Sequence, residues 1–178
     1  LSSPAGGAVL VVLGGLPATG KSTVAAALAR SVRAVHVRVD TIETAIARSE
    51  GRFEATNGWE LPPGYAVGQD VAADQLRHGL HVGADSVNPV ASSREGWRDV
   101  ASRAGARLVE VEVVCSDAAE HRRRAEGRTI DVPGLRRPTW QEIEDREYEP
   151  WSRDRVVVDT AQVDVAGAVR TIRSAAGL

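Results

Sequence analysis

The sequence predicts an α/β fold, a parallel five-stranded sheet covered by helices on both faces, and three observations carry that expectation. Strand-like and helix-like segments alternate five times along the 178 residues. The first strand-like segment is an unbroken apolar run, as expected where both faces of a sheet are covered. Where that strand turns into helix lies Gly15-Leu16-Pro17-Ala18-Thr19-Gly20-Lys21-Ser22, which fits G-x-x-x-x-G-K-[ST].

Taken in order, Ser2 to Gly7 is a small, flexible lead-in. Ala8 to Leu13 is the first strand, and Val24 and Leu28 stand one turn apart on an alanine-rich helix that ends near Arg33. Ala34 to Val39 is β-branched and delivers Asp40 at a strand end; Asp40 stands at N-cap spacing to Glu43, opening a short helix to about Ser49. Glu50 to Gly64 is broken by glycine, proline and asparagine, and Phe53, Trp59 and Tyr65 bring three aromatics to it in a chain only 4 % aromatic. They form either a substrate lid or a satellite core that pins a long loop.

Ala66 to His78 reads as helix stopped by Gly79, and Leu80 to Ala84 as the third strand, ending at Asp85. Ser92-Ser93-Arg94-Glu95 has capping-box spacing and opens a helix to Arg103. Arg107 to Cys115 is the fourth strand, with Glu110 and Glu112 on its less buried face. Asp117 to Glu120 caps a basic helix, His121 to Arg128, and Thr139-Trp140-Gln141-Glu142 is a second capping box for an acidic helix reaching Glu149. Val156 to Val158 is the fifth strand, ending at Asp159, and the last helix carries Val165, Val169, Ile172 and Ala176 on one face.

Composition sets bounds. A chain of 178 residues, 43 % hydrophobic, suits one globular domain (1–178) able to bury a core without metal or disulfide support. A net charge of −2 argues against a dedicated nucleic-acid binder. Cys115 is the single cysteine, which excludes an internal disulfide, and its place at the end of an apolar run reads as a buried, inert thiol. No apolar stretch approaches the ~20 residues that cross a bilayer, and no secretory pattern opens the chain, so a cytoplasmic enzyme is expected.

The phosphate-binding motif supplies the chemistry. Glycines let the backbone close around an anion, and loop amides with the helix N-terminus direct partial positive charge into the cradle. Gly15, Pro17, Ala18, Thr19, Gly20, Lys21, Ser22 and Thr23 are the expected nucleotide contacts. Lys21 would reach the β- and γ-phosphates of ATP, and the Ser22 hydroxyl would ligate Mg²⁺. Ligands of parallel sheets bind beyond the C-terminal strand ends, so Asp40 and Asp85 should converge there. Asp85 would hold Mg²⁺ directly or through water, the alternative being a turn-starting aspartate. Asp40 would orient an acceptor hydroxyl and accept its proton, a role compatible with capping. Arg124 and Arg128, one turn apart, would close over the transferring phosphoryl group; the plainer reading is a solvated basic helix pairing with the acidic helix. Arg136 and Arg137, in the link between the two helices, are candidates to contact either the nucleotide or the acceptor. The histidines show no metal-ligand spacing.

These residues resemble the P-loop small-molecule kinases: shikimate, gluconate and adenylyl-sulfate kinases, chloramphenicol phosphotransferase-like AAA-type ATPases, and the kinase domain of polynucleotide 5′-kinases. Gly14 to Thr23 is similar to their phosphate loop, Val39-Asp40 to the acid after the second strand, Asp85 to the acid after the third, and Arg124-Ala125-Glu126-Gly127-Arg128 to the R-x-x-x-R of their lid. The resemblance implies sheet order 2-3-1-4-5, a lid over about 116–150 and an acceptor-side insert over about 41–66. It implies an ATP-dependent phosphotransferase acting on a hydroxyl of an unidentified small molecule, as a monomer or homodimer. The alternatives are a polynucleotide 5′-hydroxyl kinase and a non-catalytic ATP-gated binding module. Several sugar-type members carry D-x-D after the second strand; Arg38 stands in the first place here, which suits an anionic acceptor or a solvated strand residue alike.

Overall fold

The computed structural model describes residues 7–50 and 62–178. Phe53 and Trp59, expected as aromatics of the insert, lie outside the described residues. The elements run β1 (Val9–Gly14), α1 (Lys21–Val32), β2 (Val35–Arg38), α2 (Val39–Ser49), α3 (Pro63–Arg77), β3 (Val82–Asp85), α4 (Ala91–Ala104), β4 (Arg107–Val114), α5 (Ala118–Gly127), α6 (Trp140–Glu144), β5 (Val156–Asp159) and α7 (Val165–Ala176). All strand pairs are parallel and the sheet order is β2-β3-β1-β4-β5.

The apolar run of β1 is explained by two cores. Val9, Val11 and Leu13 face α1 and α7 with Val24, Leu28, Val111 and Ile172. Leu10 and Val12 face α3 and α4 with Ala72, Leu76, Trp97 and Val100. Because successive strand residues point to opposite faces, only a strand covered on both sides is apolar at every position. No helix among the described residues is long and apolar enough to cross a membrane.

Several local expectations are corrected. Asp40 is not a cap: α2 begins one residue earlier, Arg38 is its N-cap, and Asp40 lies in the first turn, where its charge complements the helix N-terminus. The box at Ser92 to Glu95 does not form, because α4 starts at Ala91 and the Ser93 hydroxyl donates back to the Val90 carbonyl (2.6 Å). Asp117 does cap α5, and the Thr139–Glu142 capping box is complete.

The acidic helix ends at Glu144 and not at Glu149. Buried Arg94 draws the following segment away, donating to the carbonyls of Glu149 (2.6 Å) and Pro150 (3.1 Å) while also bonding those of Asn88 and Pro89. Glu110 and Glu112 are largely buried and paired, with Arg98 and Arg155 respectively, as carboxylates in a covered sheet must be. Cys115 is partly exposed, at the point where β4 leaves the sheet.

Candidate active site

The phosphate loop is held from outside. Gly15 has φ +145°, and a Cβ there would lie 2.2 Å from the Val113 carbonyl oxygen, so the backbone approach to β4 admits only glycine. Its N–H donates to the Val87 carbonyl at 3.0 Å. The Leu16 carbonyl accepts from the Thr19 hydroxyl (2.9 Å), the Pro17 carbonyl lies 2.8 Å from His121 Nε2, and the Thr19 carbonyl accepts from the Thr160 hydroxyl (2.6 Å). In a trans peptide the next N–H points opposite to the carbonyl, so these bonds turn the Ala18 and Gly20 amides the other way. Those two amides find no acceptor among the described residues, and both residues have positive φ, +67° and +91°. The result is an anion cradle running into the N-terminus of α1.

Lys21 and Asp85 form the floor. The Lys21 Nζ lies 2.6 Å from Asp85 Oδ1, and the carboxylate side chain is only 1 % exposed. Burial alone would push the Asp85 carboxyl up, but the Lys21 ammonium, His36 and the Ser22 hydroxyl outweigh it and hold the group below the usual carboxylate range. The second oxygen, Oδ2, has His36 Nε2 at 3.4 Å and Arg38 Nε at 3.8 Å, yet none of these three buried atoms makes a well-aligned hydrogen bond. The Ser22 hydroxyl stands beside the Asp85 carboxylate, and a hydroxyl next to a buried carboxylate is a donor set suited to a hard divalent cation that retains waters. Among the described residues no group of three His, Cys, Asp or Glu could hold a metal by itself, so such a cation would come with its phosphates.

One cleft of about 1760 Å³ joins the loop residues Pro17, Ala18, Gly20, Lys21, Ser22 and Thr23 to Asp40, Arg124 and Arg128. Single-ligand pockets are commonly about 300–1,000 Å³, so there is room for a nucleotide and an acceptor. Gly15, Thr19 and Asp85 stand behind the wall and shape it without lining it. Asp40 shares its wall with Glu43, one turn on along α2. Burial and the Asp40 charge push the Glu43 carboxyl up, opposed by the N–H that Gly64 donates to it.

Arg124 of α5 and Arg128, its C-cap, differ. All three Arg124 nitrogens donate, to Glu120 Oε1 (2.7 Å), the Thr160 hydroxyl (2.8 Å) and the Thr160 carbonyl (3.1 Å). Arg128 lines the cleft with no ion-pair partner among the described residues. The basic helix pairs within itself, Arg122 with Glu126 and Arg123 with Glu120, while Arg136 pairs with Glu142 and Arg137 donates to the Glu126 carbonyl. Tyr65 is largely core: it is buried, its hydroxyl accepts from the Asn88 N–H (3.1 Å), and burial pushes its pKa up to about 12.

Two further contributors have no signal in the sequence, and a third, Thr160, has one. His121 looked like one of four unconnected histidines, and nothing in its neighbours signals the clip onto Pro17. Thr160 was findable, since it follows a strand end on the ligand side of the sheet. The pairing of Arg38 with Asp131 crosses 93 positions and has no sequence signature.

This geometry, a phosphate loop between β1 and α1 in a β2-β3-β1-β4-β5 sheet, defines a nucleotide-binding domain with the fold of P-loop kinases. The family model described as an AAA domain matches residues 10–146, and the chain belongs to that family. No curated protein gives a significant match. Among solved structures, the Mycobacterium tuberculosis APS kinase CysC, in complex with AMPPNP and APS, is 18 % identical, with TM-score 0.64 over 98 % of this chain and 100 % of that one. A gluconokinase from Sinorhizobium meliloti is 22 % identical, with TM-score 0.61 over 94 % and 90 %. Kti12 of Chaetomium thermophilum, in complex with ADP-AlF3, is 19 % identical, with TM-score 0.62 over 94 % and 97 %. At these identities the likeness is one of fold.

Proposed function

We propose that the protein is an ATP-dependent phosphotransferase that moves the γ-phosphoryl group of ATP to a hydroxyl of a small molecule. The observation that carries this reading is the single cleft with the phosphate loop and Lys21 on one wall and the Asp40 carboxylate on another. The gluconokinase and APS kinase among the fold neighbours, and the nucleotide analogues bound to APS kinase and Kti12, support it.

In this reading the loop amides and Lys21 hold the β- and γ-phosphates. The Ser22 hydroxyl and Asp85, directly or through water, are the residues that would hold Mg²⁺, which when bound neutralises charge on the phosphate oxygens. Asp40 accepts the proton of the acceptor hydroxyl as its oxygen bonds to the γ-phosphorus. The bond to the bridging oxygen breaks, and ADP leaves with the electron pair. Arg128, which has no carboxylate at ion-pair distance among the described residues, stabilises charge on the oxygens in flight. Arg124 holds Thr160 against the phosphate loop and turns to the phosphoryl group only on leaving Glu120 and Thr160. The ATP requirement places the reaction in the cytoplasm.

The test is ADP release above the hydrolysis background across a panel of hydroxyl compounds, with ATP binding measured beside it. Lys21→Ala is expected to lose both binding and turnover. Asp40→Asn is expected to keep ATP affinity and lose transfer by ~10²- to 10⁴-fold. Folded Asp40→Asn protein that fails to bind ATP, or transfers at the normal rate, contradicts the role given to Asp40.

A further inference from the structure

Arg38 ends β2 inside the cleft, and its side chain is 12 % exposed. Its Nη1 and Nη2 donate to the two carboxylate oxygens of Asp131 at 2.7 and 3.1 Å, the fork-to-fork geometry by which arginine grips a carboxylate. Asp131 is 68 % exposed and comes from the loop between α5 and α6. Arg48 of α2 holds the same loop by donating to the Pro133 carbonyl at 2.7 Å. The lid loop therefore reaches across the acceptor side and places a carboxylate on a guanidinium that is otherwise part of the cleft wall.

The charge of the wall points the same way. Among the described residues nine lysines and arginines line the cleft, and five of them are held by carboxylates: Lys21 by Asp85, Arg38 by Asp131, Arg123 and Arg124 by Glu120, and Arg136 by Glu142. Arg48, Arg128 and Arg146 line the cleft with no ion-pair partner among the described residues.

We propose that Arg38 is the anion-recognition residue of the acceptor subsite, and that the acceptor carries, besides its hydroxyl, an oxyanion group that takes the place of the Asp131 carboxylate. This rests on the phosphotransferase reading for the word acceptor, but the anion site itself does not. Binding then exchanges one charge-assisted pair for another, and Asp131 is the internal competitor that the ligand displaces. The oxyanion is a carboxylate or a phosphate, since both accept two parallel N–H bonds from one guanidinium.

The full chain is titrated, with and without AMPPNP, with glycolate, with glycerol 1-phosphate and with neutral glycolamide, following tryptophan fluorescence and the Arg38 Nε–Hε resonance. Asp131→Ala, and Asp131→Asn as its near-isosteric control, are expected to bind one of the two anions ~10-fold tighter than the wild type. Which anion gains identifies carboxylate or phosphate as the group recognised. The gain is expected to vanish when Arg38→Gln is added, and glycolamide is expected not to bind. Equal anion affinity in wild type and both Asp131 variants, a gain that survives Arg38→Gln, or glycolamide binding as tightly as glycolate overturns the inference. AMPPNP binding with no Arg38-dependent anion gain overturns this inference alone. An Arg38-dependent gain in protein that never binds AMPPNP overturns the phosphotransferase reading and keeps the anion site.

Discussion

Asp85 and Lys21 set the local electrostatics of the site, and each is buried only because the other is. Removing one partner of a buried pair leaves an uncompensated charge, at a cost of about 3–5 kcal/mol. Asp85→Ala, which strands the Lys21 ammonium, should lower stability by that amount, read from denaturant midpoints. The pH dependence follows from the direction of the shift. The Asp85 carboxyl titrates lower in the folded chain than in the unfolded one, where aspartate titrates at about 3.9. Its stabilising contribution is therefore complete above that value and is lost as pH falls through the folded value. The stability gap between wild type and Asp85→Asn should be constant from about pH 5 to 8 and close in acid. A gap that changes between pH 5 and 8 would contradict this assignment.

At the scale of elements, the phosphate loop depends on segments far from it in sequence. Trp151 packs where a Cβ on Gly14 would lie 2.9 Å from its ring, and the Arg94 guanidinium stacks 4.4 Å from the Trp151 ring centroid. Arg94→Ala removes that stack and leaves the Asn88, Glu149 and Pro150 carbonyls without their side-chain donor, while the Pro89 carbonyl keeps the Glu149 N–H. Bonds to a charged group contribute about 1.5–3 kcal/mol each and are not additive, so a loss of about 3 kcal/mol or more is expected. Tryptophan fluorescence should report a freed Trp151, and nucleotide affinity should fall in the folded variant. An unchanged midpoint would show that α4 does not anchor the segment 149–151.

This is also the scale at which sequence reading ran out. The five strands were legible because a doubly covered strand is apolar throughout, and Gly15, Gly20, Lys21 and Ser22 because a phosphate cradle needs those residue types at fixed spacing. The short α6 was not legible, since the acidic run to Glu149 has helical composition and only the long-range pull of Arg94 ends the helix. The α2 cap falls two residues earlier than the sequence suggests, at Arg38, because Asp40 has capping spacing and the first-turn position is electrostatically as good.

For the whole molecule, the sheet order places the ends of β1, β2 and β3 side by side, and the α5–α6 segment returns across them to close the cleft. Parallel topology thus brings Lys21, Asp40 and Asp85 to one edge of the sheet, and that convergence was foreseeable from strand ends alone. The Arg38–Asp131 pair was not, because it joins positions 93 residues apart without any local pattern.

The central claim is that this edge grips a triphosphate through loop amides and Lys21. Titration calorimetry with magnesium-ATP tests it most directly. One site per chain is expected for the wild type, retained in Asp40→Asn and absent in correctly folded Lys21→Ala. A wild-type chain that gives no heat, or a Lys21→Ala chain that binds as tightly as the wild type, would contradict it.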